Sequence, residues 1–164
     1  MIIYIKNKQT LRIDDFDFKC CVGMNGTSKK KMEGDKKTPI GFFGIENLYY
    51  RSDKIKKPMT KLKCIKIKKN MVWCDDPNDR KFYNKLIKTK NNNKKEKLYR
   101  RDYKYDLMIP IKYNYFKPIK SKGSCIFIHL TKNYKPTAGC IALKKKDFLI
   151  MLKIMNKKSK IYIN

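Results

Sequence analysis

Ser124-Cys125-Ile126-Phe127-Ile128-His129, followed by Pro136-Thr137-Ala138-Gly139-Cys140-Ile141-Ala142-Leu143, is the part of the chain around which the rest arranges itself. It carries the only histidine of the protein. The apolar run ending at His129 reads as a buried β-strand. Residues 130–135 are polar and close on Pro136, which predicts a loop. Cys140 directly follows Gly139 and opens a second apolar stretch. A thiol is a poor nucleophile until it ionises, and an adjacent imidazole is the usual means of ionising it. Gly139 lets the backbone turn tightly, so that the thiol is presented. The N–H groups beside Cys140 are then placed to receive a developing oxyanion. A plainer reading uses the same residues. His129 is then a hydrogen-bonded structural residue, and Cys140 a small core side chain. Spacing alone leaves both open.

Moving outward, the 164 residues suit one domain, 1–164, with a sizeable core. A hydrophobic fraction of 41%, with 11 Tyr and 8 Phe, argues against a disordered chain. The net charge of +28 has two readings. One is a polyanionic partner such as nucleic acid. The other is a coat of solvated lysines. The lysines are scattered and arginines are few, whereas base readout and phosphate forks favour arginine. The coat is therefore preferred and no nucleic-acid partner is expected. No run approaches the ~18 apolar residues of a membrane span. Met1-Ile2-Ile3-Tyr4-Ile5 reads at once as a strand, with no basic leader or cleavage site before it. A cytoplasmic protein is the expectation, with periplasm or cell wall as the alternative. Of six cysteines, Cys20 and Cys21 are adjacent, no CxxC occurs, and one histidine is too few for a mixed zinc site. Free thiols, no metal and no cofactor follow. Cys64, Cys74 and Cys125 are expected to pack as small core residues.

Asn7-Lys8 supplies a turn, so that 9–13 returns as a hairpin partner of 1–5. Residues 18–22 read as a third strand. Residues 25–37 read as an exposed loop with a tight turn at Gly34-Asp35. Residues 40–48, 62–67 and 71–74 carry strand character. Asp75-Asp76-Pro77 is turn chemistry. Its two carboxylates also fit a metal or an acid–base pair, but no further carboxylates lie in register. Residues 85–101, centred on Asn91-Asn92-Asn93, read as an exposed, mobile loop. Residues 103–115 read as a central strand broken by Pro110, which predicts an edge or a bulge. Residues 144–155 carry the one convincing helical pattern, packed on the sheet. Residues 160–163 close the chain as a last strand.

Four ordered blocks together carry a family resemblance. Gly123 to His129 with Lys135 to Leu143 is similar to the catalytic motif of the L,D-transpeptidase (YkuD) family, in its branch reading "GSxIFLH … PTxGCVAL". Glu33-Gly34-Asp35-Lys36-Lys37-Thr38-Pro39-Ile40-Gly41 resembles that family's "EGDGKTPxG" block. Trp73-Cys74-Asp75-Asp76-Pro77 with Phe82-Tyr83-Asn84 resembles "WVDDPxSxxYN". The segment from Tyr105 to Lys112-Tyr113-Asn114 resembles the strand ending "IDYN". The resemblance implies a mainly β fold, a sandwich of mixed sheets with one C-terminal helix packed on it.

The resemblance also implies a reaction. A cysteine thiolate attacks an amide of a peptidoglycan stem peptide, between the L-centre of its third residue and a terminal D-amino acid. The acyl-enzyme then passes to an amine, or to water in L,D-carboxypeptidase action. Mapped by matching positions, Cys140 is the nucleophile and His129 its base. Gly139, Thr137 and Ile141 support the oxyanion site, and Tyr83, Asn84 and Tyr113 shape the cleft. Better-known members read Ser/Thr-His-Gly-Cys and carry Arg or Asn two residues after the cysteine. Here Ala138 and Ala142 stand at those places, and His129 precedes Cys140 by a shorter interval. A transpeptidase is the first reading and a cytoplasmic L,D-carboxypeptidase of peptidoglycan recycling the second. A basic nucleic-acid binder and an inactive wall-binding relative rank behind both. The expected partner is a stem peptide and the expected state a monomer.

Overall fold

The computed structural model describes residues 1–29, 31–90 and 95–164. Among the described residues, fifteen strands and one helix follow one another. They are β1 (Ile2–Lys6), β2 (Thr10–Ile13), β3 (Phe16–Cys21), β4 (Thr27–Ser28), β5 (Thr38–Pro39), β6 (Gly41–Gly44), β7 (Leu48–Tyr50) and β8 (Cys64–Lys66). Then come β9 (Met71–Trp73), β10 (Leu86–Lys88), β11 (Glu96–Lys97), β12 (Leu107–Pro110), β13 (Phe127–Leu130), β14 (Ile141–Leu143), α1 (Lys145–Ile154) and β15 (Lys160–Ile163). The fold is mainly β, with mixed sheets and a C-terminal helix, as the sequence predicts.

The largest sheet runs β6-β15-β1-β2-β3-β14-β13-β12-β7-β8. Asn7 and Lys8 take φ of 50° and 58° and close the β1–β2 hairpin, a left-handed turn of the kind that matches strand twist. β15 returns to pair parallel with β1, so the two ends of the described chain lie side by side. At the centre, β13 pairs parallel with β14 and antiparallel with β12. A parallel neighbour requires the intervening loop to cross over, and 131–140 does so.

Because side chains alternate along a strand, the central strands divide two cores. Ile126, Ile128 and Leu130 point into the larger core with Leu107, Ile109, Ile141 and Leu143. Phe127 points the other way, into a smaller core with Met108, Trp73, Tyr105 and Cys140. α1 covers the larger core with Phe148, Met151 and Leu152, each fully buried and each contributing about 2 kcal/mol by removal from water. Asp147 in its first turn and Lys153 in its last complement the helix dipole. No helix among the described residues is long and apolar enough to cross a membrane.

Two expectations change. Within 85–101, β10 and β11 flank β9 as a three-stranded sheet, and Leu98 is fully buried. The lysine-rich surroundings hide the few apolar residues, Leu86 and Leu98, that pack this segment into the smaller core. Asn91, Asn92 and Asn93, the centre of the expected loop, lie outside the described residues. Pro110 sits on a strand inside the sheet, not at its edge. It is the last residue of β12, and its carbonyl still accepts from the Glu46 N–H at 2.9 Å.

Candidate active site

Strand register brings the histidine and the cysteine together. His129 pairs with Ala142 across the parallel β13–β14 ladder. Cys140 lies two residues before Ala142, so it emerges on the same face, diagonal to His129. Both line a cleft of about 470 Å³, with Arg100, Tyr105, Lys104 and Glu96 on its other side. Ala142 lines it too.

The histidine is oriented by its neighbours. Nδ1 lies 3.0 Å from the Leu130 carbonyl oxygen, which can only accept. Nδ1 therefore carries the proton, and the Nε2 lone pair is the free base. Tyr105 stacks edge-on against the ring, centroids 5.5 Å apart, and the Arg100 guanidinium lies 5.1 Å from the Tyr105 centroid. Arg100 is in turn held by Asp102 at 2.7 Å and Glu96 at 3.2 Å.

The cysteine rests as a neutral thiol. Its S–H donates to the Cys125 carbonyl at 3.2 Å, and its sulfur accepts from the Phe127 N–H at 3.4 Å. Burial pushes the thiol up to about 12, with Glu96 adding to the rise and the Phe127 N–H and Lys31 opposing it. Burial likewise pushes His129 down to about 4, assisted by the Lys104 and Arg100 cations. A thiol raised and an imidazole lowered hold the pair neutral near pH 7. These shifts favour a neutral thiol beside a neutral imidazole over a preformed thiolate–imidazolium pair.

The loop carrying Cys140 is clamped from behind. The Thr137 hydroxyl donates to the Cys140 carbonyl at 2.6 Å and accepts from the Gly139 N–H at 3.1 Å. The wholly buried Thr38 hydroxyl donates to the Gly139 carbonyl at 2.9 Å and accepts from the Gly23 N–H at 2.8 Å. Gly139 takes φ of +132°, and a Cβ there would sit 2.9 Å from the Lys37 carbonyl oxygen. Glycine is needed for that approach. The Ile141 side chain belongs to the larger core, on the face opposite Cys140. Ile141 supports the site through its place in β14.

Tyr83, Asn84 and Tyr113 lie outside the cleft lining. Tyr83 donates to Glu33 Oε2 at 2.5 Å, and the same oxygen accepts from the Ser124 hydroxyl at 2.8 Å. Asn84, buried and at φ +55°, accepts from Trp73 Nε1 at 2.9 Å and the Cys125 N–H at 3.2 Å. Its amide donates to the carbonyls of Tyr113 at 3.0 Å and Asn114 at 2.7 Å. Tyr113 donates to the Lys122 carbonyl at 2.6 Å and packs on Phe43. The three hold the approach to β13 from the rear. Asp76 Oδ1 accepts from the Asn78 N–H at 2.9 Å, as turn chemistry requires. Asp75 Oδ1 is buried with no hydrogen-bond donor among the described residues. Burial and the nearby Glu96, Glu33 and Asp76 carboxylates raise it. No cluster of metal-ligating side chains occurs among the described residues.

Reading the chain alone does not single out Thr38, Glu33, Arg100 or Tyr105. Thr38 and Glu33 fall inside the 33–41 block, so a signal was present. Arg100 lies in a run that reads as loop. Nothing local marks its guanidinium as facing an imidazole.

The family profile for the L,D-transpeptidase catalytic domain, YkuD, matches residues 1–163. No curated protein sequence matches the chain. Among solved structures it resembles the helical cell shape determining protein Pgp2 from Campylobacter jejuni, at TM-score 0.54 and 19% identity over 99% of this chain. A mutant of Pgp2 gives TM-score 0.51 and 20% identity, also over 99% of this chain. In both comparisons this chain spans 46% of the other's length, and at such identity the likeness is one of fold. The profile match runs almost end to end and contains His129, Thr137, Gly139 and Cys140. The chain belongs to the L,D-transpeptidase catalytic-domain family.

Proposed function

We propose that this protein is a cysteine acyltransferase acting on peptidoglycan stem peptides. It would cleave between the L-centre of the third residue and a terminal D-amino acid. The observation that carries the reading is the shared cleft. His129 faces it from β13 and Cys140 from the loop residue just before the neighbouring parallel strand β14, and the Leu130 carbonyl fixes the proton on Nδ1, leaving Nε2 free.

The chemistry follows from the resting state. A substrate entering the cleft replaces water with peptide, and the S–H turns from the Cys125 carbonyl toward Nε2. Sulfur attacks the carbonyl carbon as Nε2 takes the proton, so the charged pair forms only as the bond does. The Gly139 N–H is engaged by Thr137. The Cys140 N–H is the donor we assign to the oxyanion. Imidazolium then returns the proton to the departing amine of the D-residue. An amine acceptor, deprotonated by the same Nε2, completes transpeptidation; water in its place completes carboxypeptidation.

The test is mass spectrometry of a tetrapeptide muropeptide incubated with wild type and with Cys140→Ala, with and without an amine acceptor. Loss of the D-residue by wild type only supports the reading. A cross-linked or exchanged product then names a transpeptidase, and tripeptide alone a carboxypeptidase. Absence of turnover and of acyl-enzyme in folded wild type overturns it.

A further inference from the structure

The catalytic cleft continues beyond His129. Tyr103, Leu130 and Thr131 line the cleft and also line a second hollow of about 460 Å³, so the two share a wall. Lys132 stands at the divide, its Nζ 4.6 Å from the Tyr103 centroid. Lys144, Lys145 and Lys146 line the second hollow, and Lys104 and Lys135 line the cleft. All six side chains are exposed.

Little negative charge lines the hollows to offset them. The carboxylates lining the two hollows are Glu96 and Asp106. Glu96 is held by Arg100 at 3.2 Å and Asp106 by Lys54 at 3.1 Å. None of the six lysines enters an ion pair among the described residues. The joined hollows thus offer a row of ammonium groups leading away from Cys140. Lysine is a flexible point charge, suited to carboxylates met at varied angles in water more than to a planar fork.

We propose that this row binds the side carboxylates of the peptide on the acyl side of the scissile bond, so that the protein selects peptides with free D-glutamyl and diamino-acid carboxyls over the same peptides amidated. The inference rests on the stem-peptide reading for the identity of the ligand. Exposed pairs are individually weak, so selectivity comes from several acting together: roughly tenfold between fully free and amidated peptide, shrinking as salt screens the lysines.

Titration calorimetry on Cys140→Ala tests it with two synthetic probes. One is a tetrapeptide with γ-linked D-glutamate and a diamino acid at position three. The other is the same peptide amidated at its D-glutamyl and diamino-acid carboxyls. Binding at least about tenfold tighter for the free peptide at low salt, narrowing at high salt, is the expected result. Lys132→Ser with Lys145→Ser and Lys146→Ser removes the preference. Lys157→Ser with Lys158→Ser, beyond the far end of α1, retains it. Equal binding of both probes, no binding of either to the folded variant, or equal loss in both lysine variants overturns the inference. Wild-type turnover separates it from the catalytic reading. A preference without turnover leaves this inference and removes that one; turnover without preference does the reverse.

Discussion

Cys140 has two unlike sides. In front lies an open cleft with cations along its rim, where His129, Tyr105 and Arg100 meet the space a substrate would occupy. Behind lies a closed network in which Asn84, Glu33, Tyr83, Ser124 and Thr38 spend their polar atoms on one another and on backbone. In front, His129 Nε2 has no hydrogen-bond partner and the rim lysines no ion pair among the described residues. Groups behind are almost fully engaged. The proposed function puts the chemistry at the front and leaves the rear to hold geometry. Substitutions in front should change chemistry at nearly constant stability, and substitutions behind should do the opposite.

Cys140→Ala is the largest test in front. It removes turnover by at least about a thousandfold, while the melting temperature moves by no more than about 3 °C, as for a small buried truncation. A large loss of stability would mean that the thiol is structural and the contrast false. Asn84→Ala is the largest test behind. It strands Trp73 Nε1, the Cys125 N–H and two carbonyls, and puts alanine at φ +55°. The expected cost is about 4 kcal/mol, read as a fall in melting temperature of roughly 10 °C.

The pH dependence sharpens the comparison. His129 is neutral in the fold down to about 4 but takes a proton near its ordinary 6.5 once unfolded. The unfolded chain therefore binds more protons between these values, and stability rises with pH across that window. Acidifying from 6.5 to 4 should cost about 3 kcal/mol, followed by denaturant unfolding. His129→Gln should flatten that slope. Asp35 and Asp102, held below their ordinary 3.8 largely by hydrogen bonds to Lys31 and Arg100 against the opposing pull of burial, lose their contribution mainly at still lower pH. A slope that survives His129→Gln would place its source elsewhere. Thr38→Val is the mildest test. It keeps the shape but leaves the Gly139 carbonyl and the Gly23 N–H without a partner, costing about 2 kcal/mol. Turnover should fall further than that stability loss explains, because the loop presenting Cys140 loosens; unchanged turnover would detach Thr38 from the site.

Much of this was legible in the chain. The β1–β2 hairpin, the strand ending at His129, the helix at the C-terminus and the closing strand are local patterns. A period of two, a turn at Asn7-Lys8 or a helical stripe is written over a few neighbouring residues. The 85–101 segment reads as loop because its lysines outnumber the half-buried Leu86 and the buried Leu98 that make it structure. Tyr83, Asn84 and Tyr113 were marked by their motifs, but a motif does not say whether a side chain faces substrate or backbone.

Residue order along 124–143 was enough to predict the strand ending at His129, the turn at Gly139 and a second strand opening just after Cys140, since each rests on local backbone preference. Which face those strands turned to the cleft depended on the parallel register of His129 with Ala142. The ionisation state of the pair depended on burial by Phe127, Tyr105 and their neighbours. The merging of the cleft with a lysine-lined hollow depended on α1 folding back beside Tyr103. These are properties of residues far apart in the chain and close in space, and no short window contains them.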